Sequence, residues 1–322
     1  MSGTDSSLAS RVLAALRPAD LPAPAVDIRG LRTALSQAAA GLQRPQPTAD
    51  RDQIVLDRYS LPAVLRCPAS AAGQNEPFRW SPRFAAHTLG IAALDLAVRV
   101  PSTDTVRLVR QVLEERAQDD QNLGGWLRLQ GPAELGTTVI QAASWAARAY
   151  VAVPWARLGP VRFGVEYWCQ DRPGRHNALV LHARMDAEIA LADRQPRERV
   201  LLVFGRNSEP VSRLNLLATT LKSGRAPLRH VQIDLASGTV TVLDTGEQML
   251  HQGVAETATA ARTVVAAARG EELPTGPGPH CIICSLLAGC PAGQHRAGKA
   301  DGGPGSAMAA GDGLVVSELP AD

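Results

Sequence analysis

Apolar residues recur at helical spacing over the first half of the chain, and then the pattern switches to alternation. Leu8 to Leu16 carries a short helical repeat; Ser6-Ser7 is suited to capping it, and Pro18 and Pro22 end it. Ile28 to Leu42 predicts a second helix with Leu31, Leu35 and Leu42 on one side, followed by a linker at Arg44-Pro45-Gln46-Pro47. Arg58 to Pro68 reads as a Ser60-started helical turn closed by Cys67-Pro68. Ser81 to Val100 suits a buried helix through Phe84, Leu89, Ile91, Leu94, Leu96 and Val98, with Gly90 inside it. Thr105 to Ala117 predicts an amphipathic helix with Val106, Val109, Val112 and Leu113 inward. Leu135 to Ala152 predicts a long one, with Ile140, Ala143, Trp145 and Ala146 toward the core.

Alternation then takes over. Val161 to Cys169, Ala178 to Leu191 and Arg199 to Phe204 read as three strands, with turns at Asp171 to Arg175 and Ala192 to Pro196. Val211 to Leu221 reads as a helix, His230 to Leu243 as a hairpin turning at Ala236-Ser237-Gly238, and Ala255 to Ala268 as a closing helix. Residues from 292 onward are rich in Gly, Ala and Pro and predict disorder. The sum is an α/β (α+β) core, a small mixed sheet flanked by helices. Three parts follow: a helical extension over 1–50, a main domain over 51–295 and a tail over 296–322. The extension suits a partner-binding arm and a simple packing element equally well.

Composition narrows the class. A hydrophobic share of 45% is ordinary for a globular protein, and a net charge of +2 does not mark a strong polyanion binder. The cations are nearly all arginine, with lysine only at positions 222 and 299. No apolar run is long enough to cross a membrane, and the first residues lack a basic and an apolar region, so neither a span nor a signal peptide is expected. Cysteine changes the picture. Three of the five fall in His280-Cys281-Ile-Ile-Cys284-Ser-Leu-Leu-Ala-Gly-Cys290, spaced C-x2-C-x5-C. Iron–sulfur clusters and structural zinc both favour four ligands, so three local thiolates ask for a remote fourth. An odd, clustered set argues for a metal in a reducing cytoplasm and against a disulfide framework. Buried free thiols are the bland reading of the same residues.

The order of these landmarks resembles the iron–sulfur branch of the PD-(D/E)XK nucleases, which includes AddB-type helicase–nuclease subunits and CRISPR-associated RecB-like exonucleases. Tyr59-Ser60 to Cys67-Pro68 is similar to that family's opening motif, and Met185-Asp186-Ala187-Glu188 to its G-x-x-D strand. The resemblance covers roughly residues 55–295 and rests mainly on the cysteine layout. It implies a restriction-endonuclease-like core closed by one cluster on Cys67, Cys281, Cys284 and Cys290, a [4Fe–4S] centre with zinc as the alternative. Cys169 is then the spare, read as a small buried residue. His280 is read as a neighbour of the cluster rather than a ligand.

The same resemblance exposes four departures. Nucleases of this kind hold Mg²⁺ on carboxylates at the ends of adjacent strands, with a lysine beside them. Asp186 stands at the first carboxylate, but the next strand reads Val203-Phe204-Gly205-Arg206, with Phe204 for the acid and Arg206 for the lysine. The helix motif G-x-x-x-H appears as Gly90-Ile-Ala-Ala-Leu94, and the later Q-x-x-x-Y as Arg213-Leu-Asn-Leu-Leu217. The expectation is a pseudonuclease, a DNA-binding or structural subunit with Arg206 and Arg213 facing phosphate and Asp186 a remnant. Its partners would be DNA and a helicase or other DNA-processing protein. Two alternatives stay open: an active Mg²⁺-dependent nuclease with ligands relocated to Glu188 (one pleat from Asp186 on the same face), Glu166 or Lys222, and a metal-stapled adaptor that never touches nucleic acid.

Overall fold

The computed structural model describes residues 7–17, 21–40, 42, 53–75, 80–100, 104–118, 122–170, 179–191, 198–284 and 286–300. The linker at 44–47, the two turns expected between the first strands, and the chain beyond 300 lie outside these residues.

Helices start where short polar side chains can take up free backbone donors. Ser7 accepts the Ser10 N–H ahead of α1 (Leu8–Leu16), and Asp27 accepts that of Gly30 ahead of α2 (Ile28–Ala39). Strand β1 (Ile54–Leu56) leads to α3 (Ser60–Arg66), where Asp57 accepts the N–H groups of Tyr59 and Ser60. Ser81 and Asp104 cap α4 (Pro82–Arg99) and α5 (Thr105–Ala117) in the same way. Then come α6 (Leu123–Arg128) and α7 (Pro132–Ala152), and after them β2 (Val161–Gln170), β3 (Leu179–Ala190) and β4 (Arg199–Phe204). Helix α8 (Glu209–Ser223), β5 (Arg229–Asp234), β6 (Thr239–Asp244), α9 (Glu247–Ala268) and α10 (Pro291–Ala300) complete the order.

The six strands form one mixed sheet. β2 runs antiparallel along β3 from Val161 opposite Ile189 to Gln170 opposite Val180. With that edge taken, β1 and β4 share the other. β1 lies parallel to Leu179–Leu181, and β4 lies antiparallel to Ala187–Ala190. β4 and β5 are parallel and are joined through α8, and β6 closes the edge as a hairpin with β5. Helices cover both faces. On one, α4, α5 and α7 bury Leu89, Leu94, Val109 and Ala146 against Ile189, Leu202 and Ile233. On the other, α8 and α9 bury Leu214, Leu217 and Leu250 against Met185, Leu201 and Val203. The N-terminal helices belong to this body, because Val12 and Leu16 of α1 enter the first core and Leu31 and Leu35 of α2 the second.

Most element positions follow the hydrophobic pattern, and the departures have local causes. Ile140 is 67% exposed, because α7 turns its alanines 142, 143, 146 and 149 inward and leaves Ile140 outside. Val106 is likewise exposed at the start of α5, while Leu108, Val109 and Val112 are buried. β1 is too short for alternation to register, and α6 holds two glycines in six residues. α9 starts eight residues before the expected Ala255, recruiting Leu250 and Val254 through a stretch that is otherwise polar. α10 stands where composition predicts no element, with Pro291 in its first turn and the Gln294 N–H on the Cys290 carbonyl.

One feature of β2 and β3 governs the site. Odd-numbered residues 179 to 185 belong to the α8–α9 core, whereas Ala187 and Ile189 belong to the α4–α7 core. β3 therefore changes face between Met185 and Ala187. Directly opposite, Gly164 has φ +58°, a left-handed conformation that glycine adopts without strain. Gly164→Ala has room for its methyl, since the nearest atom, Ile91 Cγ2, would be 3.5 Å away. The cost falls on the backbone. We expect a loss of about 1–2 kcal/mol, read as a lower urea midpoint with an unchanged slope.

Candidate functional site

The cysteine loop hangs between α9 and α10 as two 3₁₀ turns, Pro279–Ile283 and Leu287–Gly289. It meets the front of the chain at the end of α3, where the Ala69 N–H donates to the Pro274 carbonyl and the Gly276 N–H to Cys67 Sγ at 3.4 Å. Two more sulfurs accept glycine N–H groups: Cys281 from Gly278 at 3.3 Å and Cys290 from Gly293 at 3.4 Å. A β-carbon on Gly293 would lie 3.4 Å from Cys290 Sγ and 3.7 Å from Cys281 Cβ, so these two residues flank one backbone position. Gly276 is forced by contact, since a β-carbon there would stand 2.3 Å from the Arg66 carbonyl oxygen. Among the described residues no three His, Cys, Asp or Glu side chains are arranged as ligands around one ion. The donor set is of the kind that thiolate centres use, cysteine sulfurs with backbone N–H groups pointed at them. Cys169 packs elsewhere, in the core with Tyr167 and Leu181.

Asp186 is 1% exposed and sits where β4 parts from β3. Its Oδ2 accepts the Phe204 N–H at 2.7 Å, and its Oδ1 lies 3.3 Å from His87 Nε2 on α4. Burial raises the carboxyl's pKa, but the charge and hydrogen bond of His87, the charge of Arg58 and the Phe204 N–H together hold it below the ordinary carboxylate value. The expected helix motif ran from Gly90 to Leu94, and Leu94 is fully buried. The histidine that reaches the carboxylate is His87, seven residues before Leu94. That spacing is two helical turns and places both on one face, a signal present in the sequence and missed there. The His87 ring meets Trp145 edge-on, and Trp145 meets Phe204, so aromatic packing fixes the imidazole.

Among the described residues no second acid joins Asp186. Glu188, expected on the same face, is not, because β3 changes face between them. It accepts from Tyr167 Oη and Arg162 and lies 3.7 Å from Arg199. Burial and the Glu188 charge push the Tyr167 hydroxyl up to about 12. Glu166 lies beside His182 and Arg184 on the outer face, where Trp168 stacks on His182. Lys222 is exposed in the last turn of α8. Phe204 and Val203 are buried as the apolar pattern requires. Gly205, at φ +125°, turns the chain out of the sheet, and Arg206 then pairs with Asp234 at 2.8 Å. Arg213 does not face solvent as a phosphate contact would. Its guanidinium is 8% exposed and bonded to both Glu256 oxygens and to Glu209.

A cavity of about 330 Å³ lies between α3, the start of α8 and the cysteine loop. Arg58, Tyr59, Arg66, Arg206, Asn207, Ser208, His280 and Cys284 are among the residues lining it. Burial, reinforced by the charge of Arg66, holds the His280 imidazole below its ordinary pKa. Beneath α8, Gln232 joins Ser212 to the Asn207 N–H, and His230 meets Asn215. These bonds hold the N-terminal half of α8 against β5.

No protein-family model matches the sequence, and no curated protein matches it. Among solved structures the chain is similar to the crystal structure of SSO0001, at 13% identity and a TM-score of 0.31, over 81% of this chain and 94% of that one. So loose a superposition assigns neither fold nor activity.

His230 gives this site a pH signature. Burial, opposed by the Asp186 charge, lowers its pKa to about 4 from 6.5. Between those values the unfolded chain binds the proton and the folded one does not, so stability falls as pH drops from about 6.5 toward 4. The shift corresponds to roughly 3 kcal/mol. Urea midpoints between pH 7 and 4.5 should fall for the parent protein and change less for His230→Gln. Equal slopes for the two would show that this imidazole titrates normally.

Proposed function

We infer that this chain is an iron–sulfur protein on a nuclease-like fold, without nuclease activity, serving as a DNA-binding or structural subunit of a DNA-processing or defence complex in the cytoplasm. The observation that carries this reading is the isolation of Asp186. Hard divalent cations need several oxygen ligands, whereas this carboxylate is buried, gives one oxygen to the Phe204 N–H and has an imidazole at the other. The element order supports the nuclease-like part: a helix, three antiparallel strands, a crossover helix and a parallel strand, with Asp186 at the parting of two strands. A helicase or another DNA-processing protein is the kind of partner such a subunit would join. Among the described residues no helix is long and apolar enough to cross a membrane.

Cys67, Cys281, Cys284 and Cys290 would hold a [4Fe–4S] cluster, with zinc as the alternative. Its contribution here would be a crosslink between the end of α3 and the chain's closing segment. Such a link limits the open states of a long loop. Three sulfurs that already accept glycine N–H groups support that assignment. Anaerobically prepared protein should be brown and carry about four irons per chain. Cys67→Ala should lose the metal, and Cys169→Ala should keep it. A colourless preparation with one zinc per chain would replace iron by zinc, and metal loss on Cys169→Ala alone would move the fourth ligand to β2.

For activity, we expect no cleavage of linear single- or double-stranded DNA in Mg²⁺ or Mn²⁺. DNA binding should weaken steeply with salt, as phosphate contacts do, and Arg206→Ala should reduce it. Metal-dependent cleavage abolished by Asp186→Ala would overturn this reading. A lack of DNA binding at low salt would leave the adaptor.

A further inference from the structure

The cavity beside the cysteine loop gathers arginines whose number exceeds what the metal centre or the Asp186 pocket needs. Its cationic lining comes from three places distant in sequence, Arg58, Arg66 and Arg206, and among the described residues no carboxylate lines it. Arg206 shares its charge with Asp234, which stands outside the lining. The start of α8 also faces this space through Asn207, Ser208 and Val211, and the Ser208 side chain caps none of the helix's free N–H groups. Guanidinium forks match the geometry of phosphate oxygens, and a helix start adds donors of the same sign. At the rim, Tyr59 is 50% exposed, with Arg58 5.3 Å from its ring centre and Phe84 edge-on to it. An exposed, braced aromatic ring beside a phosphate-sized basic cavity suits a nucleotide whose base stacks while its phosphate enters.

We propose that this cavity is a binding site for a terminal phosphomonoester, taking the phosphorylated end of a nucleic-acid strand with its last base on Tyr59. This rests on the DNA-binding reading above and adds the end chemistry to it. A terminal phosphate carries nearly two negative charges at neutral pH, against one for each internal phosphate, so a cavity lined by three arginines prefers the end. The volume, about 330 Å³, holds a phosphate and its sugar but not a duplex.

The test compares one short single strand bearing a 5′-phosphate, a 3′-phosphate or hydroxyl ends, titrated against full-length metal-loaded protein by fluorescence anisotropy. One phosphorylated form should bind about tenfold or more tightly than the hydroxyl form, the scale of one charge-assisted contact. Inorganic phosphate at millimolar concentration should erase the difference. Arg66→Gln and Arg58→Gln should each abolish the preference while leaving the weaker, end-independent binding, and Tyr59→Ala should reduce affinity for both ends. Arg225→Gln, just past the far end of α8, should change nothing. Two variants guard against misfolding of one, and circular dichroism checks both. Equal binding of all three strands would overturn the proposal while leaving the DNA-binding reading intact. A mononucleotide that binds while no strand does would keep the phosphate pocket and overturn the DNA-binding reading. No binding of any probe would overturn both.

Discussion

Beyond Leu202, β4 leaves β3, and the Phe204 N–H loses its place in the ladder. Asp186 supplies the missing acceptor. A buried backbone donor without a partner costs about 1–3 kcal/mol, so a carboxylate at this point has a structural reason to exist that needs no ligand. The remaining oxygen must then be satisfied from the α4 side, and His87, braced by Trp145, is the group that reaches it. The left-handed turn of Gly164, the change of face along β3 and the parting of β4 from β3 all fall around this one carboxylate. Its chemistry follows from its packing: a buried acid with one oxygen on a backbone N–H and an imidazole 3.3 Å from the other offers a divalent cation few oxygen ligands.

The basic cavity and the cysteine loop share a wall. His280 and Cys284 face the same space as Arg58 and Arg66, which flank α3, and just past its end the Ala69 N–H meets the Pro274 carbonyl. Anything that holds the loop against α3 therefore also shapes the cavity. The tight passage of Gly276 past the Arg66 carbonyl fixes that contact at backbone level, before any side chain is considered.

Much of this was legible beforehand. The switch from helical spacing to alternation located α4, α5, α7 and the strands β2 to β6, because amphipathic burial on both sides of a sheet leaves those periods in the sequence. The cysteine spacing marked the closing loop for a chemical reason that needs no fold. Contacts created by geometry left weaker traces. His87 shares a helix face with Leu94, a weak mark, and only β3 placed beneath α4 brings it to a carboxylate. The separation of Glu188 from Asp186 depends on a face change that the i, i+2 rule of a regular strand hides. Arg213 reads as a cation available to phosphate until Glu256, 43 positions later, is brought onto it by α9. The cavity joins residues 58, 66, 206 and 280, which no local pattern connects.

The distance between Cys67 and Cys281 along the chain also has a temporal side. A ribosome adds about 5–20 residues per second, so the 213 residues between them separate their appearance by roughly 10–40 s. For all of that interval Cys67 belongs to a nascent polypeptide whose partner loop has not been made. α3 can form early, and α4 and α5 can pack on each other, yet the Arg66 carbonyl has no Gly276 against it until that residue is made. The thiol is exposed to oxidants and to competing metal carriers for as long as translation takes. Closure of the loop thus waits for the synthesis of residues 276–290, and nothing can bridge Cys67 and Cys281 before then.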